Sequence, residues 1–230
     1  MFDAHRHLTS EKESYDALYC TSHQDEWPLV ANLPSPAIGA FGALANNALA
    51  NTSLPSIEDL DQALCDNPLV QVGEVGLDRR FGNLEDQESF LLAALDLAFS
   101  LHRSVSVHVV HSDALFLSCL KKAGKRLPPI LWHGFTGSVE TARLAAEKGC
   151  ILSFGPGIEH TRVAGRLKEF SSLPFAIETD YEHTLQERPY IQILAAHYDL
   201  IGSLMQMDGE TLIRNNRAKR AILTNNAPSR

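Results

Sequence analysis

Glu74 stands between two glycines in the run Leu69-Val70-Gln71-Val72-Gly73-Glu74-Val75-Gly76-Leu77-Asp78. The β-branched residues favour a strand, while Gly73 and Gly76 leave little bulk beside the carboxylate and let another group or an ion approach. An ionised carboxylate in a low-dielectric interior needs a cation beside it, or its pKa rises. Its candidate partners each lie near the end of another short apolar run. They are His5 and His7 in Met-Phe-Asp-Ala-His-Arg-His, His108 in Val-Ser-Val-His, His133 in Ile-Leu-Trp-His-Gly-Phe, and Asp180 in Phe-Ala-Ile-Glu-Thr-Asp.

His5 and His7 are two positions apart, so on a strand both rings face one side and can chelate one ion. Taken singly, each candidate has a plain reading. A lone strand histidine is more often a hydrogen-bonded core or surface residue, His108 and His133 can serve packing or a proton relay, and Asp180 can cap a helix. Together they fit two divalent ions. His5, His7 and Asp180 hold one, His108 and His133 the other, and Glu74 bridges through its two oxygens. Imidazole and carboxylate suit zinc, manganese or iron, and a carboxylate-rich site also admits magnesium. Paired ions make water acidic near neutral pH and stabilise an oxygen that gains charge at phosphorus or carbon. Asp180 is the expected base for the water proton, so the expected catalytic residues are Asp180 and Glu74.

The elements that must position these groups alternate along the chain. Apolar runs predict strands over 1–7, 16–22, 36–41, 69–77, 104–110, 129–135, 150–155 and 174–180. Helices are expected over Ile57–Cys65 behind a Ser56/Asp59 capping box, and from Asn83 to Leu101 behind a cap and first-turn acids. Others run from Ser112 to Gly124 and from Ser138 to Gly149, with a weaker one over His160–Phe170. Pro189 opens a helix over Tyr190–Leu200, and Asp208 caps a last one through Arg214 to Leu223. This order fits an α/β protein of the (β/α)8 TIM-barrel class, one domain over residues 1–230, with the six candidates at the C-terminal strand ends. The front third is short for parallel crossovers, which predicts a truncated or missing first helix and a more open mouth there.

A net charge of −8 over 230 residues argues against nonspecific nucleic-acid binding through a basic surface, although metal charge can attract phosphate locally. Cys20, Cys65, Cys119 and Cys150 are widely spaced and read as reduced core thiols. No basic segment with an apolar run opens the sequence, and no uncharged stretch nears membrane-spanning length, so a cytoplasmic protein with no membrane contact is expected.

Met-Phe-Asp-Ala-His-Arg-His, Gly-Glu-Val-Gly-Leu-Asp, Val-Ser-Val-His, Trp-His-Gly-Phe-Thr-Gly and Ile-Glu-Thr-Asp, in that order over residues 1–180, resemble the ligand motifs of TatD-like metal-dependent hydrolases. The resemblance implies an amidohydrolase-like TIM barrel with up to two divalent ions, and deoxyribonuclease activity as in several members. It assigns metal-ligand roles to His5, His7, Glu74, His108, His133 and Asp180. Two departures fall on the substrate side. The family's Glu-Thr-Asp-Ala-Pro is here Glu178-Thr179-Asp180-Tyr181-Glu182-His183, and its Gly-x-His-Pro after the third strand is Gly39-Ala40-Phe41-Gly42. Arg79, Arg80 and His111 at the expected mouth are candidate contacts to an anionic substrate, with solvated loop residues as the plain alternative; His23 and His183 have weaker claims. The leading expectation is a phosphoester hydrolase acting on a small anionic substrate or a single-stranded DNA end. An amide, lactone or ester hydrolase and a catalytically silent metal-binding scaffold are the alternatives.

Overall fold

A computed structural model describes residues 1–9, 14–45, 54–182 and 189–224. Its strands are β1 (Asp3–His7), β2 (Ala17–Cys20), β3 (Ile38–Phe41), β4 (Gln71–Asp78), β5 (Val105–Val110), β6 (Ile130–Trp132), β7 (Cys150–Phe154) and β8 (Phe175–Ile177). They form one sheet in sequence order with every neighbouring pair parallel. Just beyond β8 the backbone returns to β1: Asp180 N–H donates to the His5 carbonyl at 3.0 Å, and His7 N–H donates to the Tyr181 carbonyl at 3.1 Å. Buried Asp3 adds to this seam by accepting from the Thr179 N–H at 2.9 Å and the Tyr190 hydroxyl at 2.8 Å. The sheet is therefore a nearly closed TIM barrel, and all eight expected strands have counterparts.

The helices are α1 (Trp27–Val30), α2 (Ile57–Asp66), α3 (Leu84–Ser100), α4 (Asp113–Ala123), α5 (Val139–Glu147), α6 (Tyr190–Met205) and α7 (Gly209–Leu223). Ser56, Asn83, Ser138 and Asp208 cap α2, α3, α5 and α7 by accepting backbone N–H groups left free in the first turn. Ser112 and Gly124 bracket α4 as expected, Ser112 without a cap hydrogen bond. Two expectations need correction. The expected helix over His160–Phe170 is instead two 3-10 pieces, Ile158–His160 and Ala164–Phe170, separated at residues 161–163 where Thr161 is extended, φ −96° and ψ 163°. Cys65 is no core thiol: it is exposed on α2, while Cys20, Cys119 and Cys150 are buried and all four are unpaired.

Between β1 and β2 the chain is non-helical at residues 8, 9 and 14–16, and the rest of the expected truncated first helix falls on residues 10–13, outside the described residues. Between β2 and β3 only a 3-10 turn and the four residues of α1 cover the sheet. Among the described residues no helix is long and apolar enough to cross a membrane.

The period-two alternation of the strands grades the barrel interior from apolar to polar. Leu131 precedes His133, Ile151 precedes Ser153, and Ala176 precedes Glu178 and then Asp180, each two residues further along one face. Leu131, Ile151 and Ala176 join Leu18, Cys20 and Ala40 in an inner cluster, while Tyr19, Trp132, Leu152 and Phe154 belong to the larger core under the helices.

The two glycines flanking Glu74 bring β4 against β5. A Cβ on Gly76 would stand 1.9 Å from the His108 carbonyl oxygen, and one on Gly73, whose φ is +144°, would stand 2.8 Å from the Ser106 Cβ. Gly76→Ala should therefore destabilise the protein by about 3 kcal/mol or more through backbone displacement, read as a lower urea midpoint. An unchanged midpoint would refute this close approach.

Candidate metal centre

The C-terminal strand ends bring the six expected side chains to one place. Glu74 is 3% exposed and lies between two sets. Its Oε1 is 2.5 Å from His133 Nε2 and 2.8 Å from His108 Nδ1. Its Oε2 is 3.5 Å from His7 Nε2 and 3.9 Å from His5 Nε2. Asp180 Oδ1 closes the second set, at 3.4 Å from His7 Nε2 and 3.6 Å from His5 Nε2. Asp180 has a left-handed backbone, φ 46°, which Asp tolerates better than most residues. Three overlapping groups, His5–His7–Glu74, His5–His133–Asp180 and Glu74–His108–His133, have ligand atoms close enough to share an ion.

A buried polar atom tests whether these residues suit a cation. His5 Nε2 is buried, has no hydrogen-bond partner and faces the two carboxylates, while its Nδ1 is 2.8 Å from the Ser106 hydroxyl. With Nδ1–H donating to Ser106, the free Nε2 lone pair is available to an ion. His133 is arranged alike: Nε2 faces Glu74, and Nδ1 faces buried Glu178 at 3.7 Å, an ionic rather than hydrogen-bonded distance. Glu178 is itself fixed by the Gly134 N–H at 2.7 Å and by the Ser153 hydroxyl. His108 offers Nδ1, its Nε2 lying 3.3 Å from Asp78, which Arg80 holds with contacts of 2.6–3.1 Å.

Without metal, protons supply part of the missing positive charge. Burial holds the His5 ring well below its ordinary range, with the neighbouring His133 charge acting in the same direction. Burial would also lower His7, but its hydrogen bond to Asp180 and the charges of Glu74, Asp180 and Glu182 raise it to about 9. Burial opposes a charged His133 as well, yet the Glu74 and Glu178 carboxylates carry it well above its ordinary range. Burial disfavours ionised Glu74 and Asp180, but the surrounding histidines hold Glu74 well below the usual carboxylate range and Asp180 below it too.

The remaining expected residues divide. Arg80 lines a cavity of about 170 Å³ over the cluster, together with Ser22, Leu44, Ala45, Phe81 and Glu182. Arg79 and His111 are absent from that lining; the Arg79 Nε–H instead donates to the His111 carbonyl at 3.0 Å. His23 caps the 3-10 turn before α1, and His183 lies outside the described residues. Phe41, in the register of the family's Gly-x-His-Pro histidine, is buried and stacked on Trp27 at 5.5 Å, so Leu44 and Ala45 form that wall. Sequence reasoning missed Asp78, Ser106, Ser22 and Glu182 as neighbours of the cluster. The available signal was spacing: Ser106 lies two residues before His108 on one strand face, and Asp78 ends the same run as Glu74.

Two outcomes follow from this geometry. A divalent ion must displace the protons on His7 and His133, so metal affinity should rise with pH through the His7 transition at about 9. At pH 7 about two protons should be released, measured by calorimetry in buffers of different ionisation enthalpy. Zero release would refute the protonated resting site. Asp78→Asn should weaken metal binding on the His108 side about 10- to 100-fold in competition with a chromophoric chelator, and an unchanged affinity would remove Asp78 from that role.

Comparison with known proteins agrees with this fold. The family model described as TatD related DNase matches residues 21–216, beginning after His5 and His7. A Citrobacter koseri relative named 3'-5' ssDNA/RNA exonuclease TatD is 32% identical over 137 residues, covering 56% of this chain and 52% of the relative. The chain thus spans about half the length of the curated relatives it matches. Among solved structures, the TatD homolog YJJV from Escherichia coli superposes with a TM-score of 0.78 at 21% identity, covering 98% of each chain. A dihydroorotase superposes at 0.68 with 16% identity, over 98% of this chain and 70% of that one. With a family match that covers most of its length, the chain belongs to the TatD related DNase family.

Proposed function

We propose that this protein is a divalent-metal-dependent phosphodiesterase acting on the ends of single-stranded DNA or RNA. The observation that carries the reading is Glu74, whose two buried oxygens each face a separate set of histidines. His5, His7 and Asp180 would hold one ion and His108 and His133 the other, with Glu74 shared and zinc, manganese, iron or magnesium as candidates. Bound there, the ions would supply Lewis-acid polarisation of the phosphoryl oxygen and acidify the attacking water.

The protein's own groups have separate tasks. Asp180, half-exposed at the cavity edge, orients the water and takes its proton. Ser106, Glu178 and Asp78 hold the rings of His5, His133 and His108 in register. Arg80, still donating to Asp78, presents a guanidinium to the non-reacting phosphate oxygens, with Arg79 and His111 further out. The name of the Citrobacter koseri relative supports a single-stranded substrate. Four unpaired thiols suit a reducing compartment, so we place the protein in the cytoplasm.

A second reading, hydrolysis of a small amide, lactone or ester, is favoured by the cavity's size and by Glu182 on its wall, which repels a polyanion. A 3′-labelled single-stranded DNA, given to chelator-treated protein with magnesium, manganese or zinc restored in turn, separates the two. Metal-dependent shortening is expected, with Glu74→Ala and Asp180→Asn each lowering kcat/KM by roughly 10²- to 10⁴-fold in folded protein. Full activity in both variants would sink the assignment. No turnover with any ion, beside turnover of a chromogenic ester, would transfer it to the second reading.

A further inference from the structure

A second cavity of about 250 Å³ has a different lining from the metal centre. Val139, Val163 and Phe170 give it an apolar floor, and Thr136, Arg162 and Arg166 supply its polar groups. Its walls come from the loop between β6 and α5 and from the segment after β7. Both belong to the face of the barrel where the strands end, as the metal centre does. The β6 loop leaves His133 and reaches the cap of α5 at Ser138, so Ser138 lies at most about 18 Å from His133 along the chain.

The two arginines differ. Arg166 is neutralised by Glu169 through contacts of 2.6 and 3.0 Å, with Glu140 at 3.9 Å. Arg162 is exposed and makes no ion pair among the described residues. In a chain of net charge −8, an unneutralised guanidinium beside an apolar floor suits a ligand that is both anionic and flat-faced. A nucleotide has that form, with a phosphate for the guanidinium and a base face for the floor.

We propose that this cavity is a nucleotide subsite for single-stranded nucleic acid, holding a base against Val139, Val163 and Phe170 and its phosphate on Arg162, a few nucleotides from the scissile bond. The inference rests on the phosphodiesterase reading for its purpose, but its test does not need turnover.

The probe is a fluorescent thymidine octamer, titrated by anisotropy into chelator-treated protein at several salt concentrations. Arg162→Ala should weaken binding about tenfold and make the slope of log K against log salt shallower by ~0.7, the loss of one phosphate contact on a single strand. Arg162→Glu should weaken it further. Arg217→Ala, which removes the same charge from an exposed position on α7, should change neither quantity. With metal restored, the advantage of the octamer over a dinucleotide in kcat/KM should shrink about tenfold in Arg162→Ala. Octamer binding that is absent in the wild type, or equal in wild type and Arg162→Glu, overturns the subsite. Arg162-dependent binding without any cleavage overturns the phosphodiesterase reading and leaves the subsite standing.

Discussion

The Glu74 carboxylate is the constraint to which the rest of the site answers. It is buried with both oxygens facing imidazoles, and its ionised form is stable there only because positive charge surrounds it. In the metal-free protein that charge is protons on His7 and His133. The same protons hold Asp180 ionised across the cavity, so the anionic and cationic groups depend on one another. Exchanging two protons for two divalent ions would raise the local charge by +2 while freeing the ring nitrogens as ligands. A buried charged cluster of this kind adds little to stability compared with apolar packing, which points to chemistry as its purpose.

Holding those groups in register falls to residues with no reactive role. Gly73 and Gly76 let β5 approach β4, and Gly42, just beyond β3, does the same from the other side: a Cβ on it would stand 2.3 Å from the Glu74 backbone. On the opposite side, the junction of β1 with the end of β8 sets His5, His7 and Asp180 relative to one another. Arg6, between the two histidines, is 2% exposed and caged by tyrosines, its guanidinium 3.8 Å from the Tyr190 ring centre and 5.0 Å from that of Tyr181. Tyr181 follows Asp180 directly, so this cation–π contact ties the strand carrying two ligand-type histidines to the loop carrying the aspartate.

Much of this was legible in the sequence because two periodicities carry it. Histidines two apart, and ligand-type residues at the ends of apolar runs, follow from the strand repeat; the capping serines, Asn83 and Asp208 mark helix starts by their chemistry. What the sequence left unread depends on contacts between distant segments. Asp78 lies beside Glu74 in the chain, but only the pairing of β4 with β5 brings it to His108. Glu178 reads as one more strand-face carboxylate until β6 and β7 deliver Gly134 and Ser153 to it. The helix over 160–170 failed for a local reason: the backbone turns extended at Thr161 between two 3-10 pieces, which apolar spacing does not register.

On the phosphodiesterase reading, the opposition between an acidic protein and an anionic substrate is resolved by range. At physiological ionic strength a surface charge is felt over about 8 Å, so a net charge of −8 sets solubility and long-range approach while the field at the cavity belongs to its own lining. There Arg80, and the cluster once it holds ions, would oppose Glu182. The family motif has Ala-Pro after its aspartate where this chain has Tyr181-Glu182, and Phe41 has left the mouth where the family carries a histidine. Both changes make the wall around the metal centre less cationic. On the phosphodiesterase reading, attraction for a polyanion would then come from bound ions or from guanidinia further along the face, and discrimination among phosphoesters would be set less by the cluster than by what surrounds it.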